Sequence, residues 1–241
     1  MRGMVMTLTD GTYSCSVCGG LGFIIEETDG YQSAKKCRCR IEYEAKKMLE
    51  KAGFGKEQKN HTINNFNTKE PEQKVAKELV LQYAYNFKNN SLYLCGRPGT
   101  GKTHLGVAAL KEVLKTNIPV KYIGYRDLIA HIKSFSMFED ERQKELKKFQ
   151  EAQVLMIDDL FKGFTREDKT IKGITEADKK IIYEIIDARY KKMKSTIITT
   201  ELLPAELNAI DEAIASRIAE MSRGYRFIFK NTKNYRYRSG V

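Results

Sequence analysis

At 241 residues the chain can hold one full α/β domain plus a small module, and 41 % hydrophobic residues exclude wholesale disorder. No window approaches the roughly 18 consecutive apolar residues of a membrane span, and MRGMVMTLTDGTYSC is too short and polar for a signal peptide, so a cytoplasmic protein with no membrane contact is expected. The 42 Lys and Arg against 31 Asp and Glu leave a net charge of +11, which either serves a polyanionic partner through counterion release or simply keeps the chain soluble.

In chain order, residues 1–40 come first as a Cys- and Gly-rich zone. Four of the five cysteines lie here, as Cys15-x-x-Cys18 and Cys37-x-Cys39, with 18 residues between the pairs. In a cytosolic chain such clustering favours a metal over disulfides. Zinc takes four soft ligands at tetrahedral corners, and a tight turn presents two thiolates from each pair. Gly19 and Gly20 suit such a knuckle, because glycine admits positive φ and lets amides approach sulfur. GFIIEE and GYQSAKK read as a hairpin turning at Asp29-Gly30, so the zone is expected to be a zinc ribbon whose folding energy comes from Zn²⁺. The bland alternative is four reduced thiols in a disordered tail. Residues 1–60 hold 10 basic and 8 acidic side chains, too balanced to indicate DNA.

Residues 41–75 read as a helical linker: a charged helix, IEYEAKKMLEKAG, stopped by Gly53 and Gly55, then a polar stretch ending at Pro71. Over 76–241, helical and strand patterns alternate, which predicts an α/β domain with a parallel sheet. Strands are expected at 91–95, 119–124, 154–158, 196–200 and 225–230. Helices are expected at 104–115, 126–135, 139–150 and 177–193. The last carries Ile181, Ile182, Ile185, Ile186 and Tyr190 on one stripe, a sheet-packing face. Cys95, ending the first strand, reads as a small buried hydrophobe.

Between the first strand and its helix stand Gly96, Arg97, Pro98, Gly99, Thr100, Gly101, Lys102 and Thr103, a full match to the phosphate-loop pattern G-x-x-x-x-G-K-[ST] in its strand–loop–helix context. The glycines let the backbone curl so that successive amides face phosphate oxygens, and the helix adds its positive end. Lys102 is expected at the β- and γ-phosphates of ATP and the Thr103 hydroxyl in the Mg²⁺ shell, with His104 completing the nucleotide-contacting run. Asp158 and Asp159 leave the strand VLMID at its C-terminal end, where open α/β sheets place ligands. Asp158 is expected to hold Mg²⁺ and Asp159 to orient or polarise the attacking water; otherwise the pair is a solvated acidic turn. Thr199, Thr200 and Glu201 end the next strand and should emerge beside them. Arg217, within AIASRIAEM, suits charge stabilisation on a transferring phosphoryl group, often in a neighbouring subunit, or is an ordinary surface arginine.

Residues 223–241 hold six basic side chains (Arg223, Arg226, Lys230, Lys233, Arg236, Arg238), five aromatic ones and no acid. That mixture suits single-stranded nucleic acid, where phosphates meet cations and bases meet rings. Tyr225, Phe227 and Phe229 also alternate as one face of a core strand, which leaves Tyr235 and Tyr237 to stack.

The order GRPGTGKTHL, VLMIDDL, IIYEIIDARY, STIITTE and ASRIAEM, over about residues 60–230, resembles the DnaC/DnaI family of helicase-loader ATPases, a branch of the AAA+ class. The resemblance implies an ATP-dependent switch that binds single-stranded DNA, assembles into a homo-oligomer and helps load a replicative hexameric helicase. It assigns Thr200 or Glu201 to the sensor 1 position and Arg217 to an arginine finger acting in trans, and it puts a loader-specific helical insertion around 136–150. Glu201 stands where the family often has Asn. Asp159 stands where many AAA+ proteins have Glu, which implies slow, switch-like hydrolysis. A chain ending at 241 leaves no room for the separate helical lid, which this family also commonly lacks. DnaI-like loaders carry similar cysteine-bearing modules that engage the helicase. Competing expectations are an IstB-like transposition helper ATPase acting on duplex DNA, and an adaptor that binds nucleotide with little turnover.

Overall fold

A computed structural model describes residues 15–28, 31–163, 165–167 and 170–231. The chain divides into two compact units, Met1–Glu50 and Lys51–Val241.

In the first unit, strands β1 (Phe23–Thr28) and β2 (Tyr31–Lys36) pair antiparallel from Phe23↔Lys36 to Thr28↔Tyr31. Helix α1 (Arg38–Lys51) follows at once. The hairpin expected from the sequence is therefore present; its turn, Asp29-Gly30, lies outside the described residues.

The second unit opens earlier than the expected start at 76. Residues 51–75, expected as a linker, are built into it: Ala52 O accepts the Tyr122 amide at 2.6 Å, and Ile63 and Phe66 are buried. Helix α2 (Pro71–Tyr85) starts with Pro71 in its first turn and a Glu70/Gln73 capping box. Strands β3 (Leu92–Gly96), β4 (Val120–Gly124), β5 (Val154–Asp158), β8 (Ser195–Thr200) and β9 (Arg226–Phe229) form one sheet in the order β4-β5-β8-β3-β9, all parallel. Every residue of β3, β5 and β8 is buried, as in a sheet covered on both faces, and the buried hydroxyls of β8 (Ser195, Thr196, Thr199 and Thr200) are hydrogen-bonded.

Helices α2 and α3 (Lys102–Leu114) cover one face. An added Cβ at Gly106 would lie 2.6 Å from Met156 Cε and 3.1 Å from Thr199 Cγ2, so these side chains of β5 and β8 fill the space that glycine leaves on α3. The other face, Tyr93, Leu155, Ile157 and Ile198, packs with α4 (Tyr125–Lys133), α5 (Glu139–Gln150), α6 (Glu176–Lys191), α7 (Pro204–Ile210) and α8 (Glu212–Met221). The apolar stripe of α6 is buried there, with Tyr190 at its edge donating to Glu220. Thr175 and Asp178 start α6 with a reciprocal capping box. This is the P-loop AAA+ arrangement, a parallel sheet flanked by helices. The charged stretch expected around 136–150 is α5, which buries only Leu146 and Phe149. A short hairpin, β6 (Thr165–Glu167) with β7 (Thr170–Lys172), interrupts the segment between β5 and α6 and has no counterpart in the sequence reading. No helix among the described residues is long and apolar enough to cross a membrane.

Candidate functional site

The phosphate loop is formed where β3 gives way to α3. Gly96 has φ 137°, Gly99 φ 74° and Gly101 φ 99°, conformations open to glycine at little cost. Two of them are also hemmed in: a Cβ at Gly96 would meet Phe229 O at 2.6 Å, and one at Gly101 would meet the Phe66 ring at 2.6 Å. Lys102 curls back over the loop, its Nζ donating to Gly96 O at 2.8 Å and Arg97 O at 2.9 Å. Burial pushes its ammonium below the usual lysine range, against the pull of Glu201, Asp159, Cys95 and Asp158. Thr100 ties the loop to itself through Arg97 O at 3.0 Å.

Opposite the loop, Asp158 is 5 % exposed and accepts three hydroxyls. Thr103 Oγ1 donates to Oδ1 at 2.9 Å, Thr199 Oγ1 to the same oxygen at 2.5 Å, and Tyr122 OH to Oδ2 at 2.9 Å. Burial raises the Asp158 carboxyl above its usual range and the Asp159 charge adds to this, while the three hydroxyls oppose it. Asp159 has φ 53°; its amide donates to Thr199 Oγ1 at 2.9 Å and its carboxylate pairs with Lys162. Thr103 and Asp158 are thus already together and could hold a magnesium ion between them.

These residues line a cavity of about 580 Å³, ample for a nucleotide. Its far wall is the segment before α2. His61 stacks on His104 with ring centroids 4.5 Å apart, and Phe66 meets His104 edge-on at 5.2 Å. His104 Nε2 lies 2.8 Å from Thr62 O and 3.0 Å from Asn65 Oδ1, so that nitrogen carries the proton. Lys111 fixes the wall from behind, donating to the carbonyls of Gln58, Lys59 and His61 at 2.8 Å each.

In the other unit, Cys15, Cys18, Cys37 and Cys39 bring all four sulfurs within 4.8 Å of one another, each buried. Cys15 and Cys37 Sγ lie 3.8 Å apart, and Cys18 and Cys39 Sγ 3.5 Å apart. A tetrahedral zinc ion with Zn–S bonds of about 2.3 Å separates its sulfurs by roughly 3.8 Å, so the set fits zinc. Gly22 N points at Cys18 Sγ from 3.2 Å. Burial raises the Cys18 thiol, but the Gly22 and Gly20 amides and the neighbouring thiols outweigh it and bring it to about 7, while burial and the neighbouring thiols raise Cys39, so the two thiols titrate as a pair. Cys95 is fully buried, and burial lifts its thiol to about 11, the state of an inert core residue.

Residues 34–220 match the family described as IstB-like ATP binding protein. This chain belongs to that family. It is 29 % identical over 228 residues to the phage-like element PBSX protein XkdC of Bacillus subtilis (strain 168), spanning 90 % of this chain and 83 % of that one. The crystal structure of the DnaC helicase loader superposes with a TM-score of 0.63 at 30 % identity, covering 73 % of this chain and 100 % of that one. DnaI has the same fold, with a TM-score of 0.59 at 20 % identity over 74 % of this chain and 95 % of that one.

In this IstB-like protein the sequence-derived site residues fall into two groups. Pro98 to His104, Asp158, Asp159 and Glu201 line one cavity, whereas Gly96 and Arg97 do not line it and join the site through their carbonyls, which accept from Lys102. Thr200, named with Glu201 as a candidate sensor, is turned away: its hydroxyl donates to Leu160 O at 2.8 Å and the residue is fully buried. Strand alternation gives its neighbour Thr199 the opposite face, against Asp158. Arg217 lies outside the cavity, on α8 against α6, where Nε donates to Asp187 Oδ1 at 2.9 Å, NH1 to Ala213 O at 3.0 Å and NH2 to Tyr183 OH at 3.2 Å. The sequence reading missed Gln58, His61, Asn65, Phe66 and Tyr122. For His61, Asn65 and Phe66 the one signal was the aromatic and amide content of HTINNFN, too rich for a plain linker; Gln58 and Tyr122 gave none. The basic tail beyond Asn231, with Lys233, Tyr235, Arg236, Tyr237 and Arg238, lies outside the described residues.

Proposed function

We propose that this protein is an ATPase that binds single-stranded DNA and helps place a replicative hexameric helicase on it, as part of a primosome. One observation carries the reading: the phosphate loop and the Asp158 edge face each other across one cavity, in a chain 30 % identical to the DnaC helicase loader over that protein's whole solved length. ATP and Mg²⁺ would occupy the cavity, with Lys102 leaving its loop carbonyls for the phosphates, Thr103 and Asp158 at the metal, and Asp159 at the attacking water. Glu201 would face the γ-phosphate beside them. Arg217 would act on a neighbour's nucleotide in an ATP-dependent homo-oligomer. Zn²⁺ on the four cysteines would fold the N-terminal unit as a helicase-gripping module.

The family match equally supports a transposition helper that acts on duplex DNA. ATP turnover with single-stranded DNA, with duplex DNA and without DNA, beside Lys102→Ala, separates the readings. Stimulation by single strands, together with ATP-dependent retention of a replicative helicase, is the expected result. Stimulation by duplex alone points to the helper. Turnover no higher than that of Lys102→Ala leaves an adaptor.

A further inference from the structure

Three hydroxyls hold Asp158, and two have ready explanations. Thr103 belongs to the phosphate loop, and Thr199 ends the neighbouring strand and also receives the Asp159 amide. The third comes from Tyr122 on β4, which belongs to neither motif. Its hydroxyl takes Oδ2, the oxygen that neither threonine touches, and Gln58 Nε2 in turn reaches the Tyr122 hydroxyl at 3.3 Å. Both residues line the cavity.

We propose that Tyr122 is a positioning residue for the magnesium-holding carboxylate, and that Gln58 links the cavity wall to it through the phenol. The inference rests on the reading of Asp158 as the residue that would hold Mg²⁺. A carboxylate bonded through one oxygen can still rotate about its Cβ–Cγ bond, whereas donors on both oxygens fix its plane. The phenol is well suited to the second position. It is rigid, it tilts against Phe54 with centroids 5.5 Å apart, and its strand pairs in register with β5 from Val120↔Val154 to Gly124↔Asp158. Gln58 opens the short 3-10 turn Gln58–Asn60, whose carbonyls Lys111 ties to α3. Wall and carboxylate are therefore joined by two side chains. Partners that orient a metal ligand in this way usually change metal affinity by about 10–100-fold when removed.

The test is the affinity for a fluorescent ATP analogue across a series of free Mg²⁺ concentrations, and again in EDTA. Tyr122→Phe keeps the ring and removes the donor. We expect its Mg²⁺ midpoint to rise about tenfold with metal-free affinity within about twofold of wild type, and Gln58→Leu to raise the midpoint about threefold. A tyrosine that served the fold alone, through its ring or its hydroxyl, would leave the midpoint in place whatever the melting temperature did. Asp158→Asn is the reference: if it shifts the midpoint strongly and Tyr122→Phe does not, the positioning role is overturned. If Asp158→Asn itself shifts nothing, the magnesium assignment fails instead. Should Tyr122→Phe not fold, an unchanged midpoint in Gln58→Leu overturns the proposal.

Discussion

Asp187 on α6 holds Arg217 on α8 through a 2.9 Å bond from Nε, while its other oxygen takes Lys191 at 2.7 Å. Lys191 and then Arg217 keep the Asp187 carboxyl below its usual range, so the clamp stays charged at neutral pH. The guanidinium also lies over the Tyr183 ring, 4.9 Å from its centroid. An arginine held this firmly within its own subunit is set in one direction before any neighbour arrives.

If Arg217 serves a neighbour's γ-phosphate, Arg217→Ala should lower turnover by about 10³-fold while nucleotide affinity in the unassembled protein stays within about threefold of wild type. Asp187→Asn should be milder, because Tyr183 and the Ala213 carbonyl remain. Mixing Arg217→Ala with Lys102→Ala should restore part of the activity, since some junctions then combine an intact arginine with an intact phosphate loop. Wild-type turnover in Arg217→Ala would return this residue to the status of a helix-surface arginine.

Adjacent threonines on β8 offer a second contrast. Thr199→Val removes a donor from Asp158 and the acceptor for the Asp159 amide, so turnover should fall by about 10²-fold with a modest change in stability. Thr200→Val instead deprives Leu160 O and Leu202 N of their partner in a fully buried place. It should destabilise the fold by about 1–3 kcal/mol and spare the catalytic rate of the molecules that remain folded. Urea unfolding and ATP turnover on both variants check the assignment; interchanged effects would contradict the strand geometry.

That contrast also marks what the sequence could disclose. The runs LYLCG and VLMID are short and apolar, STIITT is rich in β-branched residues, and all three are too short for helices, so they read as strands, and the loop between Gly96 and Thr103 carries its chemistry in its spacing. Which of two neighbouring threonines faces Asp158 depends on the strand's register in the sheet, which local composition does not encode. Tyr122 and Gln58 are still less visible, because their contact spans 64 residues and neither sits in a motif. The segment 57–67 read as a linker because it forms no regular element longer than one 3-10 turn. Its burial comes from docking on α3, through Lys111 and His104.

The stacked imidazoles in that wall predict a pH dependence. Burial pushes both His61 and His104 below the ordinary histidine range, so the folded protein keeps them neutral while the unfolded chain protonates them near pH 6.5. Stability from the neutral pair is therefore fully present above about pH 6.5 and is lost as pH falls through the lowered folded values. The melting temperature should drop between about pH 7 and 5.5, and the drop should be shallower in His61→Phe, which keeps the stack without a titrating ring. The third histidine, His131, is common to both proteins and cancels in the comparison. Equal slopes would place the pH dependence elsewhere.

The four-cysteine cluster yields the last expectation. If Zn²⁺ binds there, the purified protein should contain one ion per chain by atomic emission, and a strong chelator should remove it with loss of the fold around Cys15–Cys39, because so small a unit has too little core to stand without its metal. Cys39→Ser should do the same, with new protease cleavage confined to the first 50 residues. The P-loop unit has its own core, so nucleotide affinity should remain within about twofold of wild type in both cases. A full-length protein that is metal-free as isolated, takes up no Zn²⁺ when titrated and still resists protease over residues 15–50 would show that the thiols pack together without an ion.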